Sequence, residues 1–226
     1  MPLNKSNGHM YDWLSHTWNP LGGKCLHQCG YCSCNKLMRY PGIQKKYSGE
    51  SRIMEHEMKT NLGTDNFIFV CAQSDLFAEN VSSDIVLRIL DKCKEHDNQY
   101  LFQSKNTKRI AVFQCMMPKN SVVCTTIETN RVYPAMEDCP SPYDRVLGMV
   151  RIDFPRYITI EPVMDYDTDD LVDMIKVCCP EQVNIGANTW NKAVLPEPSK
   201  EKLKSLIRKL SRFTKVKEKS NLKRLL

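Results

Sequence analysis

The sequence predicts an α/β fold: a partial barrel of about six β/α units, with a mostly parallel open sheet and outer helices. Three observations carry this. From about residue 65 onward, short β-favouring apolar runs alternate with segments of helical period. Serines and prolines stand where those helices should begin and end. The count of six units falls short of the eight that close the usual barrel. In such a sheet the functional groups gather at the C-terminal ends of the strands.

Taken in order, a first strand is expected near residues 14–20, and Phe67-Ile68-Phe69-Val70-Cys71 reads as a buried strand. Ser82 or Ser83 caps a helix carrying Ile85, Leu87, Ile89, Leu90 and Cys93. Tyr100 to Gln103 is the next strand, and the helix with Ile110, Phe113 and Met117 stops before Pro118. Ser121 to Ile127 is a strand, Tyr143 to Val150 a helix, and Tyr157 to Ile160 a strand ending at Glu161-Pro162. Asp167 or Thr168 starts a helix with Leu171, Met174, Ile175 and Cys178, which Pro180 ends. Gln182 to Ile185 is a strand, and Ser199 caps a last helix with Leu203, Leu206, Ile207 and Leu210 on one face. Past Phe213 the apolar pattern thins, so residues 1–213 read as one domain and residues 214–226 as a basic tail that frays.

A chain of 226 residues is long enough to bury one sizeable core. No apolar stretch approaches the roughly 18 residues of a membrane span, and residues 1–9 lack the apolar run of a secretion signal. The expectation is a cytoplasmic protein. Residues 200–226 hold 11 Lys/Arg against 2 Asp/Glu, so the whole chain's +6 leaves −3 for the rest. The basic character belongs to the tail. Clustered cations of this kind track nucleic-acid phosphates, or form the solvated side of a final helix.

The 11 cysteines are many, and odd in number. Cys71, Cys93, Cys115, Cys124 and Cys178 fall in or near core segments, where Cys serves as a small apolar residue. Disulfide frameworks belong to short secreted domains, so a dense cysteine run suggests a metal site. That run is Gly22-Gly23-Lys24-Cys25-Leu26-His27-Gln28-Cys29-Gly30-Tyr31-Cys32-Ser33-Cys34. Cys25, Cys29 and Cys32 are spaced C-x3-C-x2-C on one loop after the first strand. Thiolates are soft ligands for iron–sulfur clusters or zinc. A four-iron cluster normally takes four Cys, so three ligands leave one iron open. Zinc usually takes four ligands from two separated pairs; His27 or Cys34 could supply a fourth here, but no second C-x-x-C pair follows.

With Tyr31 as its aromatic, C-x3-C-x-aromatic-C resembles the signature of radical S-adenosylmethionine (SAM) enzymes. The resemblance narrows through Thr17-Trp18-Asn19-Pro20, Ser74-Asp75-Leu76-Phe77, Ser104-Lys105, Thr126-Ile127-Glu128 and Ile160-Glu161-Pro162-Val163. These look like a branch found often in phages and usually described only as a domain of unknown function, distantly similar to spore photoproduct lyase. The resemblance implies a [4Fe–4S] cluster whose open iron binds SAM, and an external one-electron reductant. It also implies cleavage of SAM to a 5′-deoxyadenosyl radical that takes hydrogen from a substrate. Many relatives carry a Gly-Gly-Glu-Pro-like run after the second strand; here Ala72-Gln73-Ser74-Asp75 stands there, so Gln73, Ser74 or Asp75 would replace its contacts.

Other expected cofactor contacts lie at strand ends. By resemblance Lys105, beside Ser104, is a cation for the SAM carboxylate; otherwise it is a solvated loop lysine. Thr126 and Glu128 would accept hydrogen bonds from a ribose. Glu161 would bind substrate or SAM or take a proton, or else form a buried ion pair with a Lys or Arg. Asn188 is a weaker candidate of the same kind, and Cys34 is either a hydrogen donor or an inert thiol. The expected substrate is a nucleic-acid base or nucleotide, with a small metabolite or peptide as the alternative. From a different class comes a zinc-stabilised, non-catalytic nucleic-acid-binding protein.

Overall fold

The computed structural model describes residues 3–8, 11–189 and 194–226. A two-residue strand, β1 (Asn4–Lys5), lies antiparallel on β2 (His16–Trp18). From there every neighbour in the main sheet is parallel: β2, β5 (Phe67–Val70), β6 (Gln99–Gln103), β7 (Ser121–Thr126), β8 (Arg156–Ile160), β9 (Gln182–Ile185) and β10 (Lys215–Glu218). β3 (Leu21–Gly22) and β4 (Arg52–Ile53) form a separate antiparallel pair. Between β3 and β5 come a 3-10 turn over Ser33–Arg39, then α1 (Pro41–Lys46) and α2 (Glu55–Met58).

The helices joining the parallel strands are α3 (Ser83–Lys94), α4 (Thr107–Phe113), α5 (Pro142–Met149), α6 (Thr168–Val177) and α7 (Lys200–Leu210). Ser82 accepts from the Ile85 N–H at 3.4 Å and Ser199 from the Lys202 N–H at 3.3 Å, as N-caps should. Ser141 caps α5 in the same way.

Strand alternation sends Ile68, Val70, Tyr100, Phe102, Val123, Ile158 and Ile160 into a large core with the helices. The other face of the sheet buries Phe69, Leu101, Val122 and Cys124 under Tyr11, Leu14 and Trp13. The N-terminal segment thus covers the inner face of the open sheet. Tyr11 stacks on Trp13 at 4.9 Å, and its hydroxyl donates to Gln103 Oε1 at 2.7 Å.

Three expectations change. Residues 214–226 do not fray: β10 adds a further parallel strand, and Leu222 is fully buried. The four-residue run Lys215-Val216-Lys217-Glu218 escaped recognition because its charged residues mask the strand pattern at a sheet edge. Five of the eleven cations of residues 200–226 pair with acids elsewhere: Lys202 with Asp165, Lys209 with Asp169, Lys217 with Asp12, Lys219 with Glu161 and Arg224 with Glu197. Much of the tail's charge therefore neutralises the acidic body. Of the five expected core cysteines, Cys115 is exposed and the other four are buried.

Candidate active site

The cysteine loop is anchored from three directions. At its start Gly23, at φ 105°, packs so tightly on the Glu50–Ser51 backbone that a Cβ would collide. The Gly23 N–H donates to Lys46 O and the Lys24 N–H to Gly49 O, each at 2.9 Å. In its middle, His27 Nε2 donates to Asp75 Oδ2 at 2.9 Å. On its far side the Gly30 N–H reaches Ala135 O at 2.9 Å, and Cys29 and Tyr31 pack with Met136 and Met164.

Beside this loop, at the C-terminal ends of β5, β6 and β7, opens a cavity of about 620 Å3. Cys25, Cys29, Cys32 and Cys34 line it on one side; Gln73, Ser74, Asp75, Ser104, Lys105 and Thr126 line it on the other. The fold therefore brings together both groups the sequence singled out. Met38, Tyr47 and Phe69 add apolar wall.

Asp75 faces the cavity yet is only 8 % exposed, and its oxygens are engaged. Oδ1 accepts from Ser104 Oγ at 2.7 Å and the Phe77 N–H at 2.9 Å; Oδ2 accepts from His27 and from the Lys105 N–H at 2.9 Å. Burial would raise its pKa, but His27, Ser104 and the Lys105 amide outweigh burial and hold it low. Its geometry is that of an anchor joining β5, β6 and the cysteine loop, not a free ligand for SAM.

Glu128 departs further from expectation. Instead of an open acceptor for a ribose, it is 0 % exposed beneath Tyr31. Oε1 accepts from both the Tyr31 hydroxyl and Lys105 Nζ, and Oε2 accepts from Arg145 at 2.6 Å. Burial acts to raise its pKa, but the Arg145 guanidinium and Lys105 ammonium hold it far below the usual carboxylate range. Lys105 lies 5.3 Å over the Tyr31 ring. Its side chain is 14 % exposed, so its ammonium sits between Glu128 and the cavity. Tyr31 is a buried strut and does not line the cavity.

Glu161 is also corrected. It forms the ion pair that was its alternative reading: Oε2 accepts from Lys219 at 2.6 Å and Oε1 from Asn221 at 2.8 Å, away from the cavity lining. The partner came from the supposed tail. Asn188 likewise does not line the cavity, and its carbonyl accepts from Arg224 at 3.1 Å. Thr126 remains a lining residue, with Oγ1 accepting from Gln103 at 3.2 Å. A hydrogen bond shared by Cys34 and Cys32 pushes the Cys34 thiol well up, with burial adding to it, and lowers Cys32 to about 7 against the opposing effect of burial.

Two residues went unnoticed in the sequence. Cys139 places its Sγ 3.2 Å from that of Cys29 and, with Lys105, lowers Cys29 to about 6 against the opposing effect of burial. Its signal was a cysteine in a proline-flanked loop with no core role. Arg145 is 0 % exposed and also donates to Thr126 O and Pro140 O, each at 2.8 Å. Its signal was a charge on the same helix face as Gly148 and Met149. At Gly148 a Cβ would collide with Thr107 and the Lys108 backbone, so glycine lets α5 press on α4 and reach the site.

Among the described residues, no three His, Cys, Asp or Glu converge on a point that would hold a single metal ion. The cavity wall does present the thiols of Cys25, Cys29, Cys32 and Cys34, soft donors of the kind that iron–sulfur clusters and zinc both take.

A sequence profile of the family described as "Protein of unknown function (DUF5131)" matches residues 9–195. The chain belongs to this family. No curated protein matches the sequence. Solved structures of spore photoproduct lyase share the fold of this DUF5131 protein. A cysteine-to-alanine mutant of the lyase superposes with TM-score 0.66 at 10 % identity, over 96 % of this chain and 78 % of that one. A tyrosine-to-phenylalanine mutant gives 0.63 at 10 %, with the same coverage. A double mutant with bound AdoMet and dinucleoside spore photoproduct gives 0.58 at 9 %, over 93 % of this chain and 64 % of that one. At such identities the likeness establishes the α/β fold with its open, mostly parallel sheet. Among the described residues, no helix is long and apolar enough to cross a membrane.

Proposed function

We propose that this DUF5131 protein is a radical SAM enzyme whose [4Fe–4S] cluster is held by Cys25, Cys29 and Cys32. The observation that carries the reading is the shared cavity. The cysteine loop forms one side, and strand-end polar residues form the other. The fold neighbour with bound AdoMet supports the same assignment. When bound, the cluster and SAM supply a one-electron cleavage, fed by an external reductant, that generates a radical able to take hydrogen from a substrate.

The chain's own residues bind and orient. Lys105, fixed by Glu128, offers a positive charge to the SAM carboxylate. Gln73, Ser74, Ser104 and Thr126 offer hydrogen-bonding groups along the cavity. Asp75 keeps the cysteine loop seated through His27. Phe69, Met38 and Tyr47 exclude water from one wall. Cys25 has its pKa raised to about 11, chiefly by burial, so ligation by its thiolate must release a proton.

The test is anaerobic reconstitution with iron and sulfide. The wild-type protein should turn brown, bind about four irons per chain, and convert SAM slowly to 5′-deoxyadenosine once reduced. The Cys25→Ala/Cys29→Ala/Cys32→Ala protein should do none of these. A colourless protein that takes up one zinc and no iron would overturn the proposal.

A further inference from the structure

Residues 33–49 follow the cysteine loop directly and form one wall of the cavity through Cys34, Asn35, Met38, Tyr47, Ser48 and Gly49. This stretch contains no Asp or Glu. It exposes Arg39, Tyr40 and Lys45. The exposed Lys24 lines the same rim. Arg52 closes the far end of the wall, its guanidinium spanning the Ser48, Lys45 and Lys46 carbonyls at 2.8 to 3.1 Å. Two of the acids that follow in sequence are already engaged: Glu57 accepts from Lys46 at 2.9 Å, and Glu55 from Arg88 at 3.0 Å. Glu50, exposed beside Gly49, is the one acid among residues 33–52, which hold five Lys/Arg, so the rim keeps a net positive charge.

Tyr40 adds an aromatic surface. It is 48 % exposed, and the Arg39 guanidinium lies 4.9 Å from its ring centroid, donating to its hydroxyl at 2.9 Å. An exposed ring beside an arginine plane is a stacking platform for a nucleobase. Cations spaced along a wall that leads into a cavity track a phosphate backbone. A cavity of about 620 Å3 does not admit a duplex, so a reacting base must come from a single strand or be flipped out.

We infer that this wall binds single-stranded nucleic acid and delivers a nucleotide to the cavity. Arg39 and Lys45 contact phosphates, and Tyr40 stacks on a base. The inference rests on the proposed radical SAM reading only for what happens in the cavity; the binding surface stands by itself.

The experiment measures anisotropy of labelled 20-nucleotide oligo(dT), oligo(rU) and a DNA duplex with full-length protein across a salt series. Single strands should bind more tightly than duplex, and the two single strands distinguish a DNA from an RNA preference. Replacing Arg39 and Lys45 together by Glu should weaken binding at least tenfold at low salt. It should also flatten the log–log salt slope by about 1.4 for the two lost contacts. Tyr40→Ala should weaken binding about fivefold or more with little change in slope. Lys200→Glu/Lys204→Glu, exposed on α7, should change affinity less than twofold. Thermal midpoints check that every variant is folded. Iron and sulfide analysis of the wild-type sample reports separately on the cluster, so failure of that reading leaves the binding result interpretable. Equal loss in the wall and α7 variants, duplex binding as tight as single-strand binding, or equal competition by polyglutamate would overturn the assignment to single strands. So would absence of binding to any of the three nucleic acids.

Discussion

Replacing Arg145 by Met tests the buried network beneath the cavity. The substitution keeps the volume of the stem but removes a guanidinium that is 0 % exposed and holds Glu128 Oε2 at 2.6 Å. It also strands the Thr126 and Pro140 carbonyls, each 2.8 Å from an Arg145 nitrogen. Glu128 keeps Lys105 and Tyr31 but loses its only fully buried cationic partner among the described residues. Breaking a buried pair on one side costs about 3–5 kcal/mol. For a chain of this size, each kcal/mol lowers the thermal midpoint by roughly 2–4 °C, so a fall of about 6–20 °C is expected. Glu128→Gln should cost a similar amount, because it leaves Arg145 buried without its anion. The double substitution should cost less than the sum of the two, by about 1–3 kcal/mol. Urea unfolding followed by circular dichroism measures all three. The pH dependence has a definite sign. Because Glu128's folded pKa lies below its unfolded value of about 4.3, its contribution is fully present above that pH. It is lost as pH falls towards the folded value, and Glu128→Gln should lack that part of the acid slope. Unchanged stability in Arg145→Met, or strict additivity in the cycle, would refute the reasoning.

Three further outcomes are expected. Oxidation of the metal-free protein with diamide should join Cys29 and Cys139, whose sulfurs lie 3.2 Å apart, the two thiol hydrogens passing to diamide. The titratable thiols of the denatured protein should then fall from 11 to 9, and Cys139→Ala should block the change; no loss of thiols would refute the contact. Deleting residues 214–226 should unfold or aggregate the chain, since it removes β10, uncovers the edge of β9 and takes away the fully buried Leu222; a soluble, cooperatively melting product would contradict the observed role of this segment. Asp75→Ala leaves four donors without an acceptor, costing about 1–3 kcal/mol, and releases His27. Its thermal midpoint and its iron content after reconstitution should both drop; full iron loading would reduce Asp75 to a local role.

The parallel-sheet architecture was legible because each buried strand and each capped helix carries its own local signature. The Phe67–Val70 run, the Ser82 and Ser199 caps and the Pro118 and Pro180 stops needed no knowledge of neighbours. The cysteine loop was legible for the same reason: Cys25, Cys29 and Cys32 lie within eight consecutive residues, so spacing alone proposes a shared ligand. What escaped was set by contacts between segments far apart in the chain. Lys219 meets Glu161 across 58 residues and turns a candidate acid into an ion pair. Arg145 and Lys105 converge on Glu128 from separate elements and seal it from solvent. Cys139 reaches Cys29 across 110 residues. Residue type and strand-end position set which groups arrive near the cavity; only tertiary packing decides which keep a free lone pair or charge, because a buried carboxylate binds whatever cation the fold brings to it.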